Sequence, residues 1–181
     1  NHDAIGAGMT THSAPAPGRF LTFHLGSSFY GVPIREVRAV VRLCPITGVP
    51  NMPAHIRGVI NLRGSVLPVF DLRAKFGMAA VDYDDRGCIV VFDRQQDRPR
   101  QAGAIGAIVD GVDDVLVLTQ SQLASAPDFA GTVEADYLLG VGTSGDRVFS
   151  LLHMKNILAA DGSVHMPAIN PKAASGGNES L

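Results

Sequence analysis

GVPIREVRAVVRL (31–43) and GAIVDGVDDVLVL (106–118) align without a gap, and apolar residues coincide at six of their thirteen positions. Farther along, the stretches 58–76 and 140–158 also align without a gap, and each ends in a short helix-like pattern. Each half begins with an apolar strand pattern, FLTF at 20–23 and IVVF at 89–92. Matched blocks in the same order predict two copies of one all-β unit of about five strands. Units this small are expected to pack on each other or to exchange strands.

The apolar residues between the tails favour strands over helices. Valine is abundant, tryptophan is absent, and short apolar runs are interrupted by Gly, Pro and Asp, which is typical of β-proteins. The predicted strands cover residues 20–25, 29–34, 39–43, 59–62, 66–72, 89–93, 104–109, 115–118 and 148–153.

Both ends of the chain have the composition of tails. Residues 1–18 are rich in small residues, Pro and Gly and are predicted to be disordered, with 1–8, which precede Met9, interpreted as a cloning remnant. Residues 163–181 contain few large apolar side chains and are predicted to be flexible. The folded unit is therefore expected over 19–162, with subdomains of approximately 19–86 and 87–162.

Charge and composition restrict the classes of partner. The formal net charge is -2 and the isoelectric point is about 6.3, so nucleic acid and anionic membrane are disfavoured. No apolar run approaches the roughly 20 residues that a membrane span needs. The two cysteines form no C-x-x-C arrangement, which fits a reducing, cytoplasmic compartment.

A search for catalytic or metal-binding patterns finds little. The six histidines form no i, i+4 pair, and no serine lies in a G-x-S-x-G elbow. Asp110, Asp113 and Asp114 are interpreted as a solvated strand edge. A small hydrolase using His153 stays an alternative, although His153 aligns with Asp71 before a short helix, where a capping or turn role is simpler. We therefore predict no enzyme activity, no cofactor and no metal site.

NLRG (61–64) and VLPVFDLRAKFG (66–77) resemble the CheW family, and the resemblance extends over nearly the whole folded unit. It implies two SH3-like five-stranded β-barrels packed on a shared hydrophobic core, with short helices. It also implies a non-enzymatic chemotaxis adaptor that couples the histidine kinase CheA, through its regulatory domain, to the cytoplasmic tips of methyl-accepting chemoreceptors. Contact with the membrane would then be indirect, through the receptors. A CheW-like adaptor of another two-component pathway, such as surface motility or second-messenger signalling, is the alternative.

The resemblance also suggests partner-binding residues. Val37 and Val115 match apolar positions of the V-x-x-V segments that flank the receptor groove in the family, although core packing explains both equally well. Arg63 matches the arginine of the N-L-R-G motif. An arginine at such a turn either pairs within the fold or reaches a partner, and we expect pairing with Asp71 or Glu36.

Two departures from the family pattern add further candidates. Ala39 stands where the family commonly has an acidic residue, and Glu36 or Asp114 is a possible substitute for that charge. Cys88 replaces an aliphatic residue at the start of a strand, where cysteine packs as a small hydrophobe. We therefore include Glu36, Ala39 and Cys88 among the candidate partner-binding residues. The stretch 95–103 is predicted to be an exposed loop.

Overall fold

The computed structural model describes residues 14–53, 55–93, 103–125, 137–154 and 157. The predictions for residues 1–13, for most of the 95–103 loop and for the tail from 163 lie outside the described residues. The described part contains eleven strands and the short helix α1: β1 Gly18–Leu25, β2 Ser28–Pro33, β3 Val37–Arg42, β4 Ile56–Leu62, β5 Ser65–Asp71, α1 Leu72–Lys75, β6 Cys88–Asp93, β7 Ala104–Val109, β8 Gly111–Leu118, β9 Leu123–Ala124, β10 Leu138–Ser144 and β11 Arg147–Leu152. It also contains 3-10 turns at Ile34–Glu36 and Gln120–Gln122, and Met154 and Ile157 after β11 are helical.

The strands form two sheets, each curled into an SH3-like barrel, so the predicted fold class is confirmed. The six-stranded barrel has the order β8-β1-β2-β11-β10-β9, and the five-stranded barrel has the order β3-β6-β7-β5-β4. Both barrels take strands from either side of residue 86. Among the described residues, no helix is long and apolar enough to cross a membrane.

The register of the strands reproduces the sequence repeat. Gly31 of β2 lies opposite Leu151 of β11 in a parallel pair, and Gly106 of β7 lies opposite Val69 of β5 in the equivalent pair. Equivalent register shifts also occur in both repeats. In β8, Asp113 has no residue opposite it in β1, and in β3, the equivalent Arg38 has no residue opposite it in β6. The second strand of each repeat therefore pairs with the last strand of the other.

The largest core cluster is shared by the two barrels. Phe23 and Tyr30 come from the six-stranded barrel, Phe70 and Phe92 come from the five-stranded one, and all four are at most 4% exposed. Each barrel also has a smaller cluster of its own. Because burial of apolar area is the main favourable term in folding, this shared cluster holds the two barrels together.

The segment before β1 packs on the six-stranded barrel. Pro15 is buried, and a Cβ atom added at Gly140 would lie 2.5 Å from its Cδ. Gly18, at the end of the predicted disordered tail, is the first residue of β1.

Candidate partner-binding site

A groove of about 740 Å³ lies at the open seam of the five-stranded barrel. It runs between β3 and the turn that joins β4 to β5, and β3 and β4 are the two edge strands of this sheet. Its floor is apolar, with Leu67 and Val91 buried and Ala39, Val41 and Leu62 partly buried. An edge strand presents unpaired backbone groups, so the groove can accept an extended segment or the edge of another sheet.

Arg63 lies at the rim of this groove in an unusual backbone conformation. The β4–β5 turn has Arg63 and Gly64 as its two central residues, with φ values of 51° and 83°, as in a type I′ hairpin turn. Such positive φ angles favour glycine. The equivalent turn between β10 and β11 indeed has Gly145 at this position, with φ of 59°. An arginine kept in the left-handed region is the kind of local strain that occurs at functional sites.

The side chain of Arg63 is exposed and forms no hydrogen bond or ion pair with another described residue. The predicted pairing with Asp71 or Glu36 is therefore wrong. Asp71 lies at the other end of β5, about 20 Å away at ~3.4 Å per residue. Its carboxylate instead accepts hydrogen bonds from Arg57 at 3.0 Å and from the Tyr83 hydroxyl at 2.6 Å. Arg63 is thus available to a partner.

The groove brings together only two of the predicted site residues, Ala39 and Arg63. Glu36 ends the short 3-10 turn before β3 and is half-buried. Val37 begins β3 and packs against the shared core cluster. Glu36 and Val37 therefore lie beside the groove, on the side toward the contact between the two barrels.

The other two predicted residues lie farther away. Cys88 begins β6 opposite Arg42, and its thiol donates to the backbone oxygen of Arg86 at 3.3 Å. Val115 lies on β8 of the six-stranded barrel and is 44% exposed. Neither of them lines the groove.

Sequence reasoning missed Arg38 and Val40, which also line the groove. Val40 is 42% exposed, and Arg38 forms an exposed ion pair with Asp93 at 3.2 Å. The sequence repeat could have identified Val40, because its alignment matches Val40 with the predicted site residue Val115. The prediction instead grouped Val115 with Val37, whose equivalent is the half-buried Val112.

A polar network lies between the two barrels. Asp110, at the crossing from β7 to β8, accepts hydrogen bonds from Nε and Nη2 of Arg73 and from the backbone N–H of Gly26, the last at 2.7 Å. Burial opposes the negative charge of Asp110, but the bonds from Arg73 and Gly26 outweigh it, so the pKa of this carboxyl lies below its usual value. The bond to Asp110 likewise raises the pKa of Arg73.

Tyr83 anchors the connection between α1 and β6. Burial, followed by the hydrogen bond to Asp71, raises the pKa of its phenol. Asp71 also accepts from the backbone N–H of Arg73 at 3.0 Å and so caps α1. At the equivalent position of the repeat, the His153 carbonyl accepts a helical bond from Ile157 at 3.3 Å. His153 therefore begins a helical turn, as its alignment with Asp71 predicts.

Within the described ranges, no group of three or more His, Cys, Asp or Glu residues is placed to hold a metal ion.

Comparisons with known proteins agree with this architecture. The family model for the CheW-like domain matches residues 19–162. The chemotaxis protein CheW of Klebsiella aerogenes is 38% identical over 142 residues, which cover 78% of this chain and 82% of that protein. Protein FrzA of Myxococcus xanthus is 31% identical over 145 residues, covering 77% of this chain and 84% of that protein. The crystal structure of the scaffolding protein TtCheW from Thermoanaerobacter tengcongensis superposes with a TM-score of 0.69, at 26% identity, and covers 78% of this chain and 92% of that one.

Proposed function

We propose that this chain, which belongs to the CheW-like domain family, is a chemotaxis adaptor that couples chemoreceptor tips to the histidine kinase CheA. The family match and the chemotaxis relatives cover most of the folded unit. An adaptor acts by binding two partners at once and includes no chemical step. Rigid barrels with open strand edges suit that task.

The groove at the seam of the five-stranded barrel is the surface that we assign to the kinase regulatory domain. The observation that carries this assignment is Arg63, an exposed arginine held in a left-handed turn without a hydrogen-bonding partner among the described residues. Its planar donor fork suits a carboxylate on a partner. We assign the neighbouring face, toward Val37 and Glu36, to the receptor.

The test is reconstitution of the purified chain with CheA and a receptor cytoplasmic fragment. We expect the three proteins to co-sediment and the receptor to control CheA autophosphorylation only when the chain is present. Arg63→Ala should keep the unfolding midpoint but lose kinase recruitment, whereas the matched control Arg86→Ala, at an exposed position outside the groove, should behave as wild type. Folded wild-type protein that binds neither CheA nor receptor would contradict the function, and recruitment by Arg63→Ala equal to wild type would contradict the site.

A further inference from the structure

The outward face of β3 is basic and lies at the rim of the groove. Side chains alternate along β3, and the exposed ones are Arg38, Val40 and Arg42. Arg63 lies across the groove, on the β4–β5 turn. Arg38 is paired with Asp93, but the two side chains are 59% and 62% exposed, and an ion pair this exposed holds its partners weakly. The face is therefore suited to carboxylates from a partner.

The backbone of β3 also presents hydrogen-bonding groups to the groove. In an antiparallel pair, alternate residues of a strand bond to the partner strand. The Leu43 N–H donates to the Gly87 carbonyl at 3.1 Å, in continuation of the β3–β6 register. By this alternation the N–H and C=O groups of Val40 and Arg42 point away from β6. Because β3 is an edge strand of its sheet, these groups face the groove.

The inward face of β3 is apolar and only partly covered. Ala39 and Val41 pack against the core cluster inside the five-stranded barrel, yet both stay half-buried. Buried Leu67 and Val91 form the floor beside them. Apolar side chains added at this seam would remove further apolar surface from water, which favours binding. The volume of the groove, about 740 Å³, lies within the range of ligand-binding clefts.

We propose that β3 accepts one further strand from a partner, an extended segment with acidic residues at its first and fifth positions and apolar residues between them. Antiparallel pairing, the more stable geometry, places the two carboxylates opposite Arg38 and Arg42 and the middle residue opposite Val40. The second and fourth residues then point onto the apolar floor, because side chains alternate along a strand. The inference goes beyond the proposed function, because the occupant is a free extended segment and not a folded kinase domain.

NMR titration of the isotopically labelled full chain tests the proposal, with the capped peptide Glu-Val-Val-Val-Glu as the probe. We expect saturable shifts of the β3 amide signals, with a dissociation constant of about 1 mM or lower. The matched peptide Val-Glu-Val-Glu-Val has the same composition and charge, but its spacing places at most one carboxylate opposite an arginine, so it should bind about fivefold more weakly. N-methylation of the central valine of the first peptide should abolish its binding, because it removes the N–H that bonds to the Val40 carbonyl.

The double variant Arg38→Ala with Arg42→Ala, shown to be folded by its amide spectrum, should bind the first peptide about fivefold more weakly than wild type does. The control Arg86→Ala, at an exposed position outside the groove, should bind it as wild type does. Wild type without saturable shifts up to about 5 mM peptide would overturn the proposal. Equal affinity for the two matched peptides, or unchanged binding after N-methylation or in the double variant, would overturn it as well. The test needs neither CheA nor receptor, so failure here is distinguishable from failure of the adaptor function.

Discussion

At the scale of single residues, substitutions of Arg63 can distinguish the effect of its backbone conformation on stability from the effect of its side chain on kinase binding. Its φ of 51° costs an L-residue with a Cβ atom roughly 1–2 kcal/mol, and glycine avoids most of that cost. We predict that Arg63→Gly is about 0.5–1 kcal/mol more stable than Arg63→Ala, as measured by urea unfolding, and that both variants lose kinase recruitment. Equal stability of the two variants would contradict the strain, and kinase binding by Arg63→Gly would contradict the role of the side chain.

The same residue shows what one-dimensional spacing can and cannot predict. The N-L-R-G stretch correctly predicted a turn at Arg63. The pairing with Asp71 was wrong because β5 separates the two residues by its whole length, while Arg57 and Tyr83 reach Asp71 from β4 and from the connection after α1. Contacts between elements that meet only in three dimensions leave no periodic signal in the sequence.

At the scale of secondary-structure elements, the second strands of the two repeats, β2 and β7, contain equivalent glycines that have no room for a side chain. A Cβ atom at Gly106 would lie 2.6 Å from Cγ2 of Ile89, and one at Gly31 would lie 2.9 Å from Cδ2 of Leu151. Both distances are shorter than van der Waals contact, and both neighbours are fully buried.

We predict that Gly106→Ala and Gly31→Ala each lower the free energy of unfolding by about 1–3 kcal/mol, the usual cost of overpacking a core. The matched control is Gly103→Ala, at the start of the same hairpin arm as Gly106, where an added Cβ meets nothing within 4 Å. Thermal unfolding of the three variants checks this. A Gly106→Ala protein as stable as the control would mean that the side chain of Ile89 on β6 can move away without cost.

Most strands were predictable at this scale, whereas their partners were not. Alternating and continuous apolar runs located nine of the eleven described strands. The prediction missed β9, which has only two residues, and β10, whose GVGTS sequence is rich in glycine. The repeat alignment still recovered β10 as the equivalent of β4. The pattern does not determine whether β2 pairs with β5 of its own repeat or with β11 of the other repeat. The reason is that β5 and β11 have matching apolar patterns, as β2 and β7 do. The structure settles it, with β2 on β11 and β7 on β5.

At the scale of the whole molecule, Asp110 is the charged link between the barrels. It joins Arg73, which follows β5 of the five-stranded barrel, to Gly26 in the β1–β2 turn of the six-stranded one. The side chains of Asp110 and Arg73 are only 16% and 10% exposed. Because removing one member of such a pair leaves the other charge buried without compensation, we expect a loss of stability far above that of a surface ion pair.

The interactions of the Asp110 carboxylate make the free energy of unfolding depend on pH. The pKa of Asp110 in the folded protein lies below its unfolded value of about 3.9, so the unfolded state binds its proton first as pH falls. The stabilisation is therefore present above about pH 4 and disappears as pH falls through the folded pKa. We predict that Asp110→Asn costs about 3 kcal/mol at pH 7 and that this difference from wild type narrows steadily below about pH 4. Urea unfolding across that range measures it, with Asp85→Asn as the exposed control that should follow wild type. A difference that stays constant down to about pH 3 would mean that Asp110 stabilises the pair of barrels through packing and not through its charge.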